Sequence, residues 1–157
     1  MFKRYSQRVI SAVLTLAMVL SVTLFAFPVS AAEAPELGPV TSKDVVYQII
    51  TDRFYDGDPS NNVPEGFDST LYDGTGDDLK LYQGGDWAGI IDKIPYLKGM
   101  GVTAVWISAP YENRDTEILD YKADGSYDRW TSFHGYHVRN YFATNKHFGT
   151  LNEFKEL

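Results

Sequence analysis

Two short β-branched runs frame the apolar pattern of this chain. Val45-Val46-Tyr47-Gln48-Ile49-Ile50 and Val102-Thr103-Ala104-Val105-Trp106-Ile107 each have the length of a strand. Their nearly continuous apolar character predicts strands buried on both faces, as in a parallel sheet. Between them Ile90, Ile91, Ile94 and Leu97 recur at helical spacing, with Asp86 placed to cap the helix and Gly101 to stop it. The pattern is a β-α-β unit, for which a right-handed crossover is expected. Pro95 falls inside the helix and predicts a kink or an early end near Ile94. A second helix is predicted from the capping box Thr150-Leu151-Asn152-Glu153, followed by Phe154 and Leu157. So short a helix is marginal on its own, so the expectation is a chain cut inside an element.

The connections, Thr51 to Gly85 and Ser108 to Gly149, far exceed usual strand-to-helix loops, and loops of that size are commonly functional. Both follow the C-terminal ends of strands, where α/β folds build ligand sites.

The amino terminus has a different pattern. Lys3, Arg4 and Arg8 precede an uncharged apolar run from Val9 to Phe27, and Val29 and Ala31 supply the small pair of a cleavage site beside the helix-ending Pro28. Residues 1–32 therefore read as a secretory leader, residues 33–43 as a Pro-containing linker, and residues 44–157 as the folded part. An uncleaved signal anchor is the alternative, since the run could just span a bilayer. Cleavage implies a secreted, extracellular protein with no membrane association.

Charge and cysteine content narrow the function classes. The leader holds three basic residues and no acid, so its removal leaves eleven Lys and Arg against 21 Asp and Glu, a formal charge of −10. That excludes nucleic acid as an expected partner. There is no cysteine, so an exported domain must find any cross-link elsewhere, and a bound metal ion is one route. A monomer is the expected state.

The first long loop contains Asp56-Gly57-Asp58-Pro59-Ser60-Asn61-Asn62. Its dense carboxylate and amide oxygens suit a hard cation such as calcium, which takes six to eight oxygen ligands. It is not an EF-hand: Asn61 and Phe67 occupy the positions of the turn glycine and the bidentate glutamate. Spacing leaves the calcium reading open against an ordinary turn cluster. The second loop carries Phe133-His134-Gly135-Tyr136-His137 after Asp128, Arg129 and Trp130. A tyrosine face beside an imidazole donor is what pyranose recognition needs, and an aromatic cluster pinning a loop is the alternative. A zinc site on His134 and His137 lacks a third ligand.

Residues 45–62 (VVYQIITDRFYDGDPSNN), 81–108 (LYQGGDWAGIIDKIPYLKGMGVTAVWIS) and 133–154 (FHGYHVRNYFATNKHFGTLNEF) together resemble the start of the α-amylase family of glycoside hydrolases, in particular the cyclodextrin glucanotransferases and maltogenic amylases. The resemblance implies an α/β fold, the N-terminal part of a TIM (β/α)8 barrel comprising its first βαβ unit and two long βα loops. A closed barrel takes roughly 250 residues, so the chain is expected to be incomplete. The resemblance also implies calcium held by Asp56, Asp58, Asn61, Asn62, Gly84 through its carbonyl, and Asp86. It places Tyr136 under the sugar at the cleavage point and His134 on its hydroxyls, with starch or malto-oligosaccharide as substrate. Relatives commonly have Trp and then Arg-Asp where this chain has His137 and Arg139-Asn140, and some have a cysteine pair in the first loop.

Family members are retaining enzymes with an Asp nucleophile, a Glu acid/base and a stabilising Asp on later strands. None corresponds to a residue of this chain, and Asp52, in the Asp-Arg-Phe segment, reads as structural. The expectation is an enzyme of starch metabolism whose 157-residue part is inactive alone. The competing reading is a non-catalytic, calcium-dependent glucan-binding module using Tyr136, Trp130 and Tyr141 as platforms.

Overall fold

The computed structural model describes residues 38–157. The leader and residues 33–37 of the linker lie outside the described residues. No helix among the described residues is long and apolar enough to cross a membrane.

Strands β1 (Val46–Ile49) and β2 (Ala104–Ile107) pair in parallel, with Val46 opposite Ala104 and Ile49 opposite Ile107. Helix α1 (Trp87–Gly99) connects them, so the β-α-β unit forms as the periodicity requires. The strands are not buried on both faces as expected: Val46, Tyr47, Val105 and Trp106 are exposed. The cause is that the sheet has only these two strands among the described residues. The core gathers at the C-terminal ends of the two strands, where Ile49, Trp87, Ile90, Leu97 and Phe148 form one buried cluster joined by Ile107, Phe154 and Leu157. Helix α2 (Leu151–Glu156) starts at the expected capping box: Thr150 Oγ1 accepts from Glu153 N, and the Glu153 carboxylate accepts from Thr150 N. Trp87 and Phe154 pack 5.0 Å apart between their ring centroids.

The early end expected near Ile94 is corrected. α1 runs through Pro95 to Gly99. Proline removes one internal hydrogen bond, but Leu97 beyond it is buried in the core. The last turn is also closed by Met100 N to Tyr96 and Leu97 oxygens and by Val102 N to Leu97 O. Burial and these closing bonds carry the helix past the missing one.

The second long connection is also more ordered than a loop. Strand β3 (Tyr111–Asn113) pairs antiparallel with β6 (Val138–Thr144), and β4 (Ile118–Tyr121) pairs with β5 (Tyr127–Trp130) in a hairpin. Arg129 ties the hairpin to the first loop, bonding Thr70 Oγ1 at 3.0 Å and Asp68 at 3.1 Å.

The first loop lies directly on the start of α1. A Cβ at Gly89 would stand 1.9 Å from Tyr55 O, and one at Gly57 would stand 2.3 Å from Gly89 N. Ala for Gly ordinarily gains about 1 kcal/mol inside a helix. At Gly89 the sign reverses, because backbone occupies the space: Gly89→Ala is expected to destabilise the protein by about 3 kcal/mol. Chemical denaturation of the complete protein measures this.

Candidate functional site

Asp86 is fully buried and organises the oxygen-rich loop. Its Oδ1 accepts from Gly57 N at 3.0 Å and from Gly89 N at 2.6 Å, while Oδ2 accepts from Asp58 N at 2.8 Å and Asn61 Nδ2 at 2.9 Å. Four donors fill the acceptor capacity of a carboxylate. One side chain thus caps α1 and fastens residues 57–61 over it. The carboxylate of Asp58 turns back to accept from Ser60 N, capping the turn Pro59–Asn61.

The other oxygens of the set are left over. Asn61 donates its amide to Asp86, and Asn62 donates to Asp56 Oδ2 at 2.7 Å and Tyr72 Oη at 3.0 Å. This leaves Asn61 Oδ1, Asn62 Oδ1 and Asp56 Oδ1 buried without a hydrogen-bond partner. Gly84, at φ +95°, runs its backbone against Asn62, and a Cβ there would come 2.5 Å from Asn62 Oδ1. Unpaired buried acceptors are costly, and three in one loop, with a carboxylate among them, have the donor chemistry of a hard cation site. The set rests on amides as much as on acids. No three His, Cys, Asp or Glu side chains form a metal cluster among the described residues. Of the six predicted ligands, Asp56, Asn61 and Asn62 each offer a buried, unpartnered side-chain oxygen, and the Gly84 backbone lies against one of them. The carboxylates of Asp58 and Asp86 hold the loop by hydrogen bonds and add negative charge.

Asp52 is held by the backbone of the first loop. It is 2% exposed and accepts from Gln83 N at 3.0 Å and Gly84 N at 3.2 Å. Burial pushes its carboxyl up to about 6, against the opposing pull of Arg53 and the two amides. Gln83 was not distinguished by sequence, yet its side chain fastens the loop 73–78. It donates to Asp73 Oδ2 and Asp78 O, both at 3.0 Å, and accepts from Gly76 N at 2.9 Å. His147 is a second such residue. Its ring is buried, stacks on Tyr82 at 4.0 Å and meets the Phe67 edge at 4.4 Å, and burial lowers it to about 4. It joins the first loop to the second as a neutral aromatic ring. His147 depends on contacts distant in sequence, and Gln83 on the fold of its own loop, for which no local signal exists.

The aromatic turn sits behind β5. Gly135 has φ +80°, and a Cβ there would stand 2.9 Å from Ala109 O, so the turn needs glycine. Tyr136 N donates to His134 Nδ1 at 3.0 Å, which leaves the proton of a neutral ring on Nε2. Burial, and then the neighbouring His137, hold His134 below the usual imidazole range. The Tyr136 ring stacks on His134 at 5.6 Å and 16° and is 57% exposed. The pair presents an open phenol face beside an imidazole N–H, which suits a sugar ring and its hydroxyl. His137 instead bonds Ser132 Oγ through Nδ1 at 2.8 Å, and no third zinc ligand joins the two histidines among the described residues. Tyr141 packs edge-on against Tyr111 at 5.1 Å.

Comparison with known proteins gives a consistent result. The model of the α-amylase catalytic domain matches residues 48–157. A cyclomaltodextrin glucanotransferase of Thermoanaerobacterium thermosulfurigenes is 48% identical over 151 residues, which cover 92% of this chain and 20% of that protein. Among solved structures, a cyclomaltodextrin glucanotransferase of three-domain organisation aligns with TM-score 0.62 and 40% identity over 71% of this chain and 21% of its own. The γ-cyclodextrin glucanotransferase of alkalophilic Bacillus clarkii aligns with TM-score 0.58 and 45% identity over 73% of this chain and 16% of its own. The chain spans about a fifth of the length of the curated relatives it matches.

Proposed function

From the premise that this chain belongs to the α-amylase family of glycoside hydrolases, we propose that it is the substrate-facing start of a secreted retaining enzyme that cleaves or transfers α-1,4-glucan. The reading rests on one observation: Tyr136 offers a half-open ring face and His134 an Nε2 proton beside it. Binding would set a glucose ring on the phenol face and give a hydroxyl oxygen the imidazole N–H, while the Gly135 turn keeps both at fixed spacing. Starch and malto-oligosaccharides are the substrate class, in line with the glucanotransferases it resembles. The basic and apolar leader supports export.

In a retaining mechanism two carboxyl groups roughly 5 Å apart act as nucleophile and acid/base. We assign neither to this chain. Asp52 is engaged with Gln83, Gly84 and Arg53, and the family resemblance implies that the reacting carboxylates lie on later strands of a barrel. The 157 residues alone then do not turn over.

Calcium is the proposed cation, held by Asp56, Asn61, Asn62 and Gly84 within the frame made by Asp58 and Asp86. Bound there it supplies a structural cross-link within the first loop, tying residues 56–62 to Gly84 just ahead of α1, in a chain without disulfides. Calcium at about 100 times its Kd is therefore expected to stabilise the complete protein by about 2.7 kcal/mol. Thermal unfolding with and without chelator checks this, and equal midpoints would refute the cation assignment. The function itself is tested by expressing the whole reading frame and assaying soluble starch for reducing ends and cyclodextrins. Turnover by the complete protein and none by residues 33–157 is the expected result; turnover by the short chain would overturn the assignment of the carboxylates.

A further inference from the structure

Arg53 stands behind the aromatic turn and is not explained by the roles assigned so far. Its guanidinium carbon lies 3.7 Å from the centroid of the Phe133 ring. Nη2 donates to Leu79 O at 2.8 Å and Leu81 O at 3.0 Å, and Nε pairs with Asp52 at 3.2 Å. The intervening carbonyl, Lys80 O, accepts from Thr131 N at 2.9 Å and Thr131 Oγ1 at 3.0 Å. Successive carbonyls of residues 79–81 thus grip Arg53 and Thr131 in turn, on either side of one short strap. Phe133 is pressed against the flat face of Arg53, and it directly precedes His134.

We propose that Arg53 is a positioning residue for glucan binding: it sets Phe133, and through it the angle at which His134 and Tyr136 meet the sugar. The inference rests on the sugar-binding reading of that pair. A planar guanidinium suits the task because it can stack on a ring while its edge nitrogens hold two carbonyls at fixed spacing, which an ammonium cannot do. Charge balance for Asp52 needs only one of these contacts. Nη1 is buried without a partner, a cost to the fold that pairing Asp52 alone does not require.

The test uses the complete protein and equilibrium binding of a thio-linked, non-cleavable malto-oligosaccharide. Arg53→Lys keeps the charge beside Asp52 and loses the stack and the two-carbonyl grip. Phe133→Leu keeps apolar bulk and loses the ring. Each is expected to raise Kd about tenfold, with neither adding to the loss in a Tyr136→Ala background, because both act through that platform. Wild-type affinity in Arg53→Lys would overturn the proposal and reduce Arg53 to a counter-charge. Losses that multiply with Tyr136→Ala would overturn it in favour of a general structural role. A Tyr136→Ala protein that binds as wild type would show instead that the sugar-binding reading itself fails, and the proposal with it.

Discussion

Replacing Asp86 by alanine is expected to cost the complete protein more than about 3 kcal/mol and to abolish its response to calcium. The side chain is fully buried, and its removal strands four donors: Gly57 N, Asp58 N, Gly89 N and Asn61 Nδ2. Each buried donor left unpaired costs about 1–3 kcal/mol unless water reaches it. Asn61 would lose the bond that turns its Oδ1 away from Asp86, and with it the geometry of the oxygen set. Asp86→Ser separates the two roles. A serine can still cap α1, worth about 1 kcal/mol, but cannot reach across to residues 57–61. It should recover that much stability and none of the calcium response. Denaturant titration with and without calcium measures both, and a loss under about 1 kcal/mol for the alanine variant would contradict the clamp.

Tyr136→Ala is expected to weaken glucan binding about 30-fold, through the loss of roughly 2 kcal/mol of ring contact. The side chain is mostly exposed and bears on the fold only through its stack with His134, so stability should change by less than about 0.5 kcal/mol. The backbone N–H that sets the His134 tautomer survives the substitution. Tyr136→Phe keeps the ring face and should bind within a few-fold of wild type. The readout is KM for malto-oligosaccharide in the complete protein, with the non-cleavable analogue as a check on binding. Unchanged KM in the alanine variant would remove the sugar platform from the account.

The parts readable from sequence are those with local signals. Four apolar helix positions, the Asp86 cap and the Thr150 capping box fixed both helices, and two β-branched runs fixed the parallel pair. Strands β3 to β6 escaped: β3 to β5 have only three or four residues each, and Val138–Thr144 of β6 does not alternate apolar with polar, so none stands out from a loop. The oxygen set was visible as composition, but its division of labour was not. Which oxygens stay free depends on where Asn61 and Asn62 send their amide protons, and that follows from packing across 25 residues for Asn61 and six to ten for Asn62. Arg53 and Gln83 are ordinary polar residues until the first loop folds back on β1. Pro95 shows the converse: a strong local signal overridden by the burial of Leu97.

A crystal structure of the complete protein, grown with calcium and a non-cleavable malto-oligosaccharide, tests the central claim most directly. The account predicts a cation at about 2.3–2.6 Å from Asp56 Oδ1, Asn61 Oδ1 and Asn62 Oδ1, and a glucose ring lying on Tyr136 with a hydroxyl on His134 Nε2. Those three oxygens turned to protein or water partners, or a glucan bound elsewhere with Tyr136 bare, would contradict it.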